Sequence, residues 1–452
     1  VTGIEAALAL VRAGLLLAEA LVFGTLVVRA LAGNAPFRFD LRPVWWLLAA
    51  LGLAWILLQS AALDGVSATW LVLRSTRVGH VALLRMTFWA SAAIGSARGW
   101  RAAVLPSGIA MALHGAAGHA TADGDSVLQA SVLVHVVAAG AWIGGLPALW
   151  VGLGDVGADR LVRRFSGLGV VCVVLLAATA LVQGLDLAGG LPGLVGTEYG
   201  HLLLLKMALF AGLLFLAAHN QFVLARDLTR LRRWVVIEAV MGCVTLCAAS
   251  LLSASPPGLH EQPWWPFAWR PDLSALADDE VRLAVQNAVL ILALAMGLLV
   301  LATWLRRARA VLVLGSLAAV WFASPSLGLL LVPAEPTVFW ESSADATPQS
   351  IALGRAAYAM HCANCHGQYL RGDGPGSAGL AIPPADLTAP HLWDHLPGQV
   401  FWWISDGMRG PDGSKVMPGF ADRIDARTRW ALIDFLHANN PYGSVRAGTH
   451  RH

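Results

Sequence analysis

Ten stretches of this chain, near residues 5–30, 43–63, 79–97, 102–119, 127–151, 165–187, 201–224, 234–254, 284–305 and 310–332, are apolar over close to the ~20 residues that a helix needs to cross the hydrocarbon core of a bilayer. In lipid every backbone N–H and C=O must be satisfied within the segment, so runs of this kind select helices. Composition agrees, since 57% of the 452 residues are hydrophobic and only 13% are charged, against about 25% charged in soluble domains. The expected fold is all-α: a polytopic transmembrane bundle of about ten spans, with the lipid bilayer as its first partner. The opening run, Ile4 to Val28, has neither a basic leader nor a small-residue cleavage site. It reads as a retained anchor and not as a removable signal.

Arginine sets the orientation. Arg29, Arg38 and Arg42; Arg98 and Arg101; Arg160, Arg163 and Arg164; Arg226, Arg230, Arg232 and Arg233; and Arg306, Arg307 and Arg309 fall in every second connection, which makes those connections cytoplasmic. The opposite connections carry only Arg74, Arg77 and Arg270. Both chain ends are therefore expected outside, in the periplasm of a bacterial inner membrane. A formal net charge of +3, with its cations in these clusters, implies no nucleic-acid partner.

After residue 332 the character changes. Residues 333–349, with Pro333, Pro336 and Pro348 among polar side chains, read as a linker between a membrane domain (1–332) and a periplasmic domain (350–445). That last domain contains Cys362-Ala363-Asn364-Cys365-His366. Two thiols at this spacing reach the two vinyl groups of one haem, and the adjoining imidazole sits under its iron. No second ligand pair stands at zinc spacing, which disfavours a zinc knuckle. The signal thus assigns covalent haem c to Cys362 and Cys365, with His366 as axial ligand. A sixth ligand is expected downstream; Met417, Met408, His391 and His395 compete, and His361 reads as a surface residue. The thioether of Met417, next to Pro418, suits a haem used for electron transfer. The tail resembles class I cytochromes c: the C-x-x-C-H motif ends a helix, Gly372 to Pro375 forms a G-x-G-P loop, Met417-Pro418 a ligand turn, and Ala426 to Ala438 a closing amphipathic helix with Trp430, Ile433 and Leu436 toward the haem. That resemblance favours Met417.

Ionisable side chains within spans are costly and so call for a functional account. With the orientation above, His80, His119, His201 and His260 fall at or near the outer face, and His135 lies about two turns inside it. Imidazole suits copper, zinc or haem iron. These five form the candidate metal set, with His119 and His135 the first choices for an outer-facing metal site. Cys243 and Cys247, at i and i+4, could hold a soft ion but read more simply as packing residues. Met86, Met111, Met207, Met241 and Met296 show no clustering and read as core, while Glu19, Arg85, Lys206 and Glu238 invite pairing with one another.

The segments Leu113 to Ala120 and His135 to Leu146, then Arg164-Phe165-Ser166, Thr197 to Gly200, Leu205-Lys206 and Ala218-His219-Asn220, resemble the copper resistance D (CopD-like) membrane family over about residues 80–256. Gln221 departs from that family's pattern, which has arginine after the asparagine. The resemblance implies an inner-membrane protein that binds or moves copper, often beside a periplasmic copper chaperone. Joined to the tail, it implies copper handling with a tethered one-electron carrier. A second reading from another class is a membrane electron-transfer protein, with intramembrane histidines holding haem b and a cytochrome c domain that passes electrons to or from a quinol, an oxidase or a soluble redox partner such as a dehydrogenase. There is no nucleophile–base arrangement, phosphate loop or nucleotide fingerprint, so the chain is expected to be an electron carrier and not a hydrolytic or nucleotide-driven enzyme.

Overall fold

The computed structural model describes residues 3–33, 39–63, 65–116, 125–155, 157–224, 227–305, 307–389, 392 and 395–439. It divides into two compact units, Val1–Glu261 and Gln262–His452.

The first unit is a helical bundle built around α1 (Gly3–Ala32). The other helices are α2 (Arg42–Leu63), a short α3 (Thr69–Ser75), α4 (Arg77–Arg98), α5 (Trp100–Gly115), α6 (Ser126–Trp142), a short α7 (Leu146–Gly152), α8 (Ala158–Leu187), a short α9 (Gly190–Gly196), α10 (Glu198–His219) and α11 (Leu228–Leu252). α1 packs against α2, α5, α6, α7, α8 and α11, and its Leu15, Leu16, Val22, Phe23, Leu26 and Val28 are buried. Small residues permit this central position. A Cβ on Gly24 would lie 2.1 Å from the Gly144 carbonyl carbon, and one on Gly144 would lie 1.9 Å from the Ala20 oxygen. Backbone thus meets backbone where α6 breaks before α7, the close approach by which membrane helices gain packing energy without a hydrophobic drive. Leu181, Leu185 and Phe215 are exposed on the bundle, as lipid-facing side chains must be.

The second unit holds the helical hairpin α12 (Asp279–Trp304) and α13 (Arg309–Gly328), in which Ser316 Oγ donates to the Ala295 carbonyl at 2.9 Å. A two-stranded antiparallel ribbon, β1 (Trp269–Pro271) with β2 (Leu331–Pro333), ties the two flanks of this hairpin together. Within 333–349, Thr337 and Val338 are buried, Thr337 Oγ1 donates to the Gly398 carbonyl at 2.7 Å, and the Trp340 indole donates to Pro263 at 3.0 Å. The tail comprises α14 (Pro348–His361), α15 (Ala363–His366), α16 (Pro397–Asp406), the hairpin β3 (Gly407–Arg409) with β4 (Lys415–Pro418), and α17 (Ala426–Ala438). α14 and α17 cross at Gly354, where a Cβ would lie 1.9 Å from the Ala431 oxygen. Tyr358, Phe401, Ile404, Leu432, Ile433, Phe435 and Leu436 form the core, with Trp430 stacked on Phe401 at 4.5 Å.

The all-α membrane bundle followed by a small helical domain is the architecture expected. Among the described residues eight helices meet a span's length and hydropathy. The other two expected spans are helical as well: α4 is less apolar, with His80 and Arg85 within its length, and α5 has 16 residues.

Candidate metal centres

Thr347 begins the haem motif's helix with a capping box, its side chain accepting from Ser350 N while Ser350 Oγ accepts from Thr347 N. The helix ends at His361, and one further turn brings the amides of Cys365 and His366 back to the Cys362 carbonyl at 3.1 and 2.9 Å. Both cysteines are free thiols on the same turn, partly buried. Burial and the neighbouring Cys365 push the Cys362 thiol up to about 11. His366 Nδ1 lies 3.0 Å from the Ala385 carbonyl. A carbonyl only accepts, so Nδ1 carries the proton and Nε2 keeps its lone pair, the arrangement by which an outer partner orients a metal-bound imidazole. Burial also holds His366 below the usual histidine range, against the opposing pull of the Ala385 bond, which favours the neutral ring that a metal requires. The loop beyond is folded tightly against the motif: Tyr358 donates to the Gly367 carbonyl at 2.8 Å, and a Cβ on Gly374 would lie 2.4 Å from Asn364 O. Two thiols, an oriented imidazole and a closely applied loop fit covalently attached haem.

Met417 and Met408 face each other as register partners on β4 and β3. Met417 is half-buried, whereas Met408 is exposed. His395 packs edge-on against Trp403 at 4.7 Å and contacts Gln399 Oε1 at 3.3 Å. His361 lies 6.1 Å from the Phe420 ring, and His391 falls outside the described residues.

Of the five intramembrane candidates, His119 also lies outside the described residues. His80 and His201 begin α4 and α10, and each Nε2 donates to a backbone carbonyl six residues earlier, Arg74 O at 2.8 Å and Val195 O at 3.0 Å. His260 is exposed at the end of a short turn, Gly258–His260. Among the described residues no three His, Cys, Asp or Glu side chains gather in a metal-binding group.

His135 is placed differently. Its Nδ1 is 2.8 Å from Thr179 Oγ1, whose own proton is already donated to the Leu175 carbonyl at 2.6 Å. The hydroxyl can therefore only accept, Nδ1 must carry the proton, and Nε2 is left with its lone pair. His135 lines a cavity of about 140 Å³ together with Met111, Met207, Gln183, Tyr199 and Lys206. Thioethers and a neutral imidazole are soft-to-borderline donors. Sequence spacing alone had left Met111 and Met207 among the core residues, because their proximity to His135 depends on how α5, α6 and α10 pack.

Of the four intramembrane charges expected to pair, Glu19 and Arg85 do so. Glu19, 1% exposed, receives the Arg85 guanidinium at 2.5 Å and the Trp89 indole at 2.9 Å on Oε1, and His114 Nδ1 at 2.7 Å on Oε2. Glu238 accepts from Asn220 Nδ2 at 2.6 Å, where α10 gives way to a π-helical turn, Asn220–Leu224.

Residues 159–252 match the family described as copper resistance protein D, and residues 349–436 match cytochrome C oxidase, cbb3-type, subunit III. The chain is 32% identical over 157 residues to inner membrane protein YebZ of Escherichia coli (strain K12), covering 31% of this chain and 54% of that protein. It is 29% identical over 143 residues to copper transport protein CutJ of Bacillus subtilis (strain 168), covering 29% and 26%. With copper resistance protein D of Pseudomonas syringae pv. tomato it shares 28% over 237 residues, covering 45% and 76%. The chain thus spans about half the length of the first relative and about a quarter of the second. No solved structure matches. The helical bundle, the C-x-x-C-H turn and these matches agree on a region similar to copper resistance protein D over residues 159–252 and a cytochrome c domain over residues 349–436.

Proposed function

We propose that this chain handles copper in a bacterial inner membrane, binding it at the His135 cavity, and that its tail carries one electron at a time on covalent haem c. One observation carries the copper reading: a neutral imidazole, fixed by Thr179 in the tautomer that leaves Nε2 open, shares a cavity with two thioethers. This donor set favours Cu(I) over harder ions. His119 belongs to the proposal as a further ligand at the outer end of the span, and His80, His201 and His260 remain candidates for the entry face. In the tail, Cys362 and Cys365 hold the haem, His366 and Met417 ligate it, and the haem when bound supplies one-electron redox chemistry. The alternation of arginine clusters supports an outer, periplasmic location for the tail, where a copper chaperone or a soluble redox partner would meet it.

Copper content of the purified protein tests the reading. Wild type is expected to retain copper that His135→Ala loses, with the c-type haem spectrum unchanged in both. Equal copper in the two proteins would remove the cavity from the proposal. A labelling experiment that placed residue 366 in the cytosol would remove the periplasmic tail.

A further inference from the structure

The β1–β2 ribbon of the second unit has two unlike faces. Arg270 lies on the covered one, buried and paired with Asp272 at 2.9 Å. On the other face Trp269 stands opposite Pro333 and Pro271 opposite Leu331, and cross-strand partners share a face. All four are exposed, Trp269 by 55% and Leu331 by 49%. Phe267 and Leu273 on one flank, and Leu329 on the other, are exposed as well. None of these seven side chains is charged or polar apart from the indole N–H. An apolar surface of this kind on a folded protein marks a contact.

The ribbon's place in the chain supplies the partner. It closes the open end of the α12–α13 hairpin, where α13 ends at Gly328 just before β2 and α12 begins at Asp279 soon after β1. Both helices have the length and hydropathy of spans, and both expose apolar side chains such as Leu290 and Phe322. Exposed apolar residues thus continue along the chain from a lipid-facing helix, through Leu329, onto the ribbon. Two opposing requirements set its depth. Among the described residues no third strand joins the ribbon, so its outer edges carry backbone groups that no ladder satisfies, and hydrocarbon does not tolerate these. Bulk water would leave the aromatic and proline face bare. The headgroup layer offers hydrogen bonds and apolar contact together, which is why tryptophan concentrates there.

The same segment is bonded to the cytochrome domain. Trp265 N donates to the Pro336 carbonyl at 2.8 Å, Ala334 N to the Ala268 carbonyl at 3.0 Å, and Gln262 and Glu341 exchange two bonds, at 2.9 and 3.1 Å. Trp264 packs edge-on against Trp340 at 6.3 Å and against Trp402 of α16 at 5.8 Å, while Thr337 holds the Gly398 carbonyl of that helix. We propose that the exposed face of the ribbon lies in the lipid headgroup layer and, through these contacts, mounts the cytochrome domain on the membrane surface in place of a free tether. The assignment depends neither on copper in the His135 cavity nor on haem in the tail.

Photo-crosslinking of the full chain in nanodiscs of palmitoyl-oleoyl phosphatidylcholine tests both parts. Benzoylphenylalanine replaces Leu290, Trp269, Leu331 or Trp264, one position at a time, and the products are mapped by mass spectrometry. All four positions are exposed, so each variant should keep the circular dichroism of wild type. Leu290, within α12, is the reference and should give adducts on the distal acyl chain. At Trp269 and Leu331 lipid adducts of comparable yield are expected on the glycerol or the first acyl carbons. At Trp264 the expected product is an intrachain link to the peptide that contains Trp402. If Leu290 yields lipid adducts and Trp269 and Leu331 yield none, the ribbon does not touch lipid and the placement fails. A link from Trp269 or Leu331 to a second copy of the chain, or adducts there on distal acyl carbons, would overturn it as well. Absence of the intrachain link at Trp264 would overturn the mounting.

Discussion

Glu19→Gln tests the physical account of the membrane core directly. The carboxylate is 1% exposed and accepts on both oxygens, Oε1 from Arg85 and Trp89 and Oε2 from His114. A glutamine cannot replace it in either amide orientation, because its NH₂ group must then face a donor. The Arg85 side chain, 7% exposed, is left charged, buried and without a counterion. Breaking one side of a buried ion pair costs about 3–5 kcal/mol, which is a large share of the 5–15 kcal/mol that holds a typical domain folded. In equilibrium terms the unfolded fraction should rise by roughly two to three and a half decades. Steric trapping in bicelles reads this as a free-energy difference. The double variant Glu19→Leu/Arg85→Met removes both charges and should recover much of the loss, since apolar replacements of a buried pair are often close to neutral. A loss under about 1 kcal/mol for Glu19→Gln, or a double variant as unstable as the sum of the singles, would refute the claim that this pair is desolvated and coupled.

Four further outcomes are expected. Gly354→Val forces a side chain into the Ala431 carbonyl, so α14 and α17 must separate; the tail should lose thermal stability by several kcal/mol and incorporate less haem, measured by haem-stained gels. Met417→Ala should abolish the sulfur-to-iron charge-transfer band, whereas Met408→Ala, altering the exposed partner across the hairpin, should leave it. Thr179→Val preserves shape but removes the acceptor that fixes His135; copper affinity should fall about 10–100-fold in competition titrations, with secondary structure by circular dichroism unchanged. Gly24→Leu should prevent assembly of the bundle, seen as aggregation on size-exclusion chromatography, because the substituted carbon has no space beside Gly144 and Gly145.

Much of this protein was legible without coordinates where the physics is local or periodic. The apolar runs placed ten helices, because lipid leaves a spanning backbone few options. C-x-x-C-H marked the tail as a cytochrome c domain, in agreement with the family match over residues 349–436. Less legible was the distinction between Met417 and Met408: both are methionines near a turn, and only the folded tail leaves one half-buried and the other exposed. Glu19, Arg85 and His114 stand up to 95 residues apart, and nothing in their spacing joins them.

What the amino-acid order alone determined here is the class of solution: a helical membrane bundle, a cytochrome c domain in the tail, and the alternation of basic connections. These follow from free energies summed along a single segment, such as apolar transfer and local motif spacing. The tertiary structure decided which of many intramembrane polar groups act together. It placed His135 on Thr179 with its second nitrogen open, joined it to Met111 and Met207, and closed Glu19 upon Arg85 and His114. Those outcomes depend on contacts between helices distant in the chain, set by where glycine lets two backbones meet.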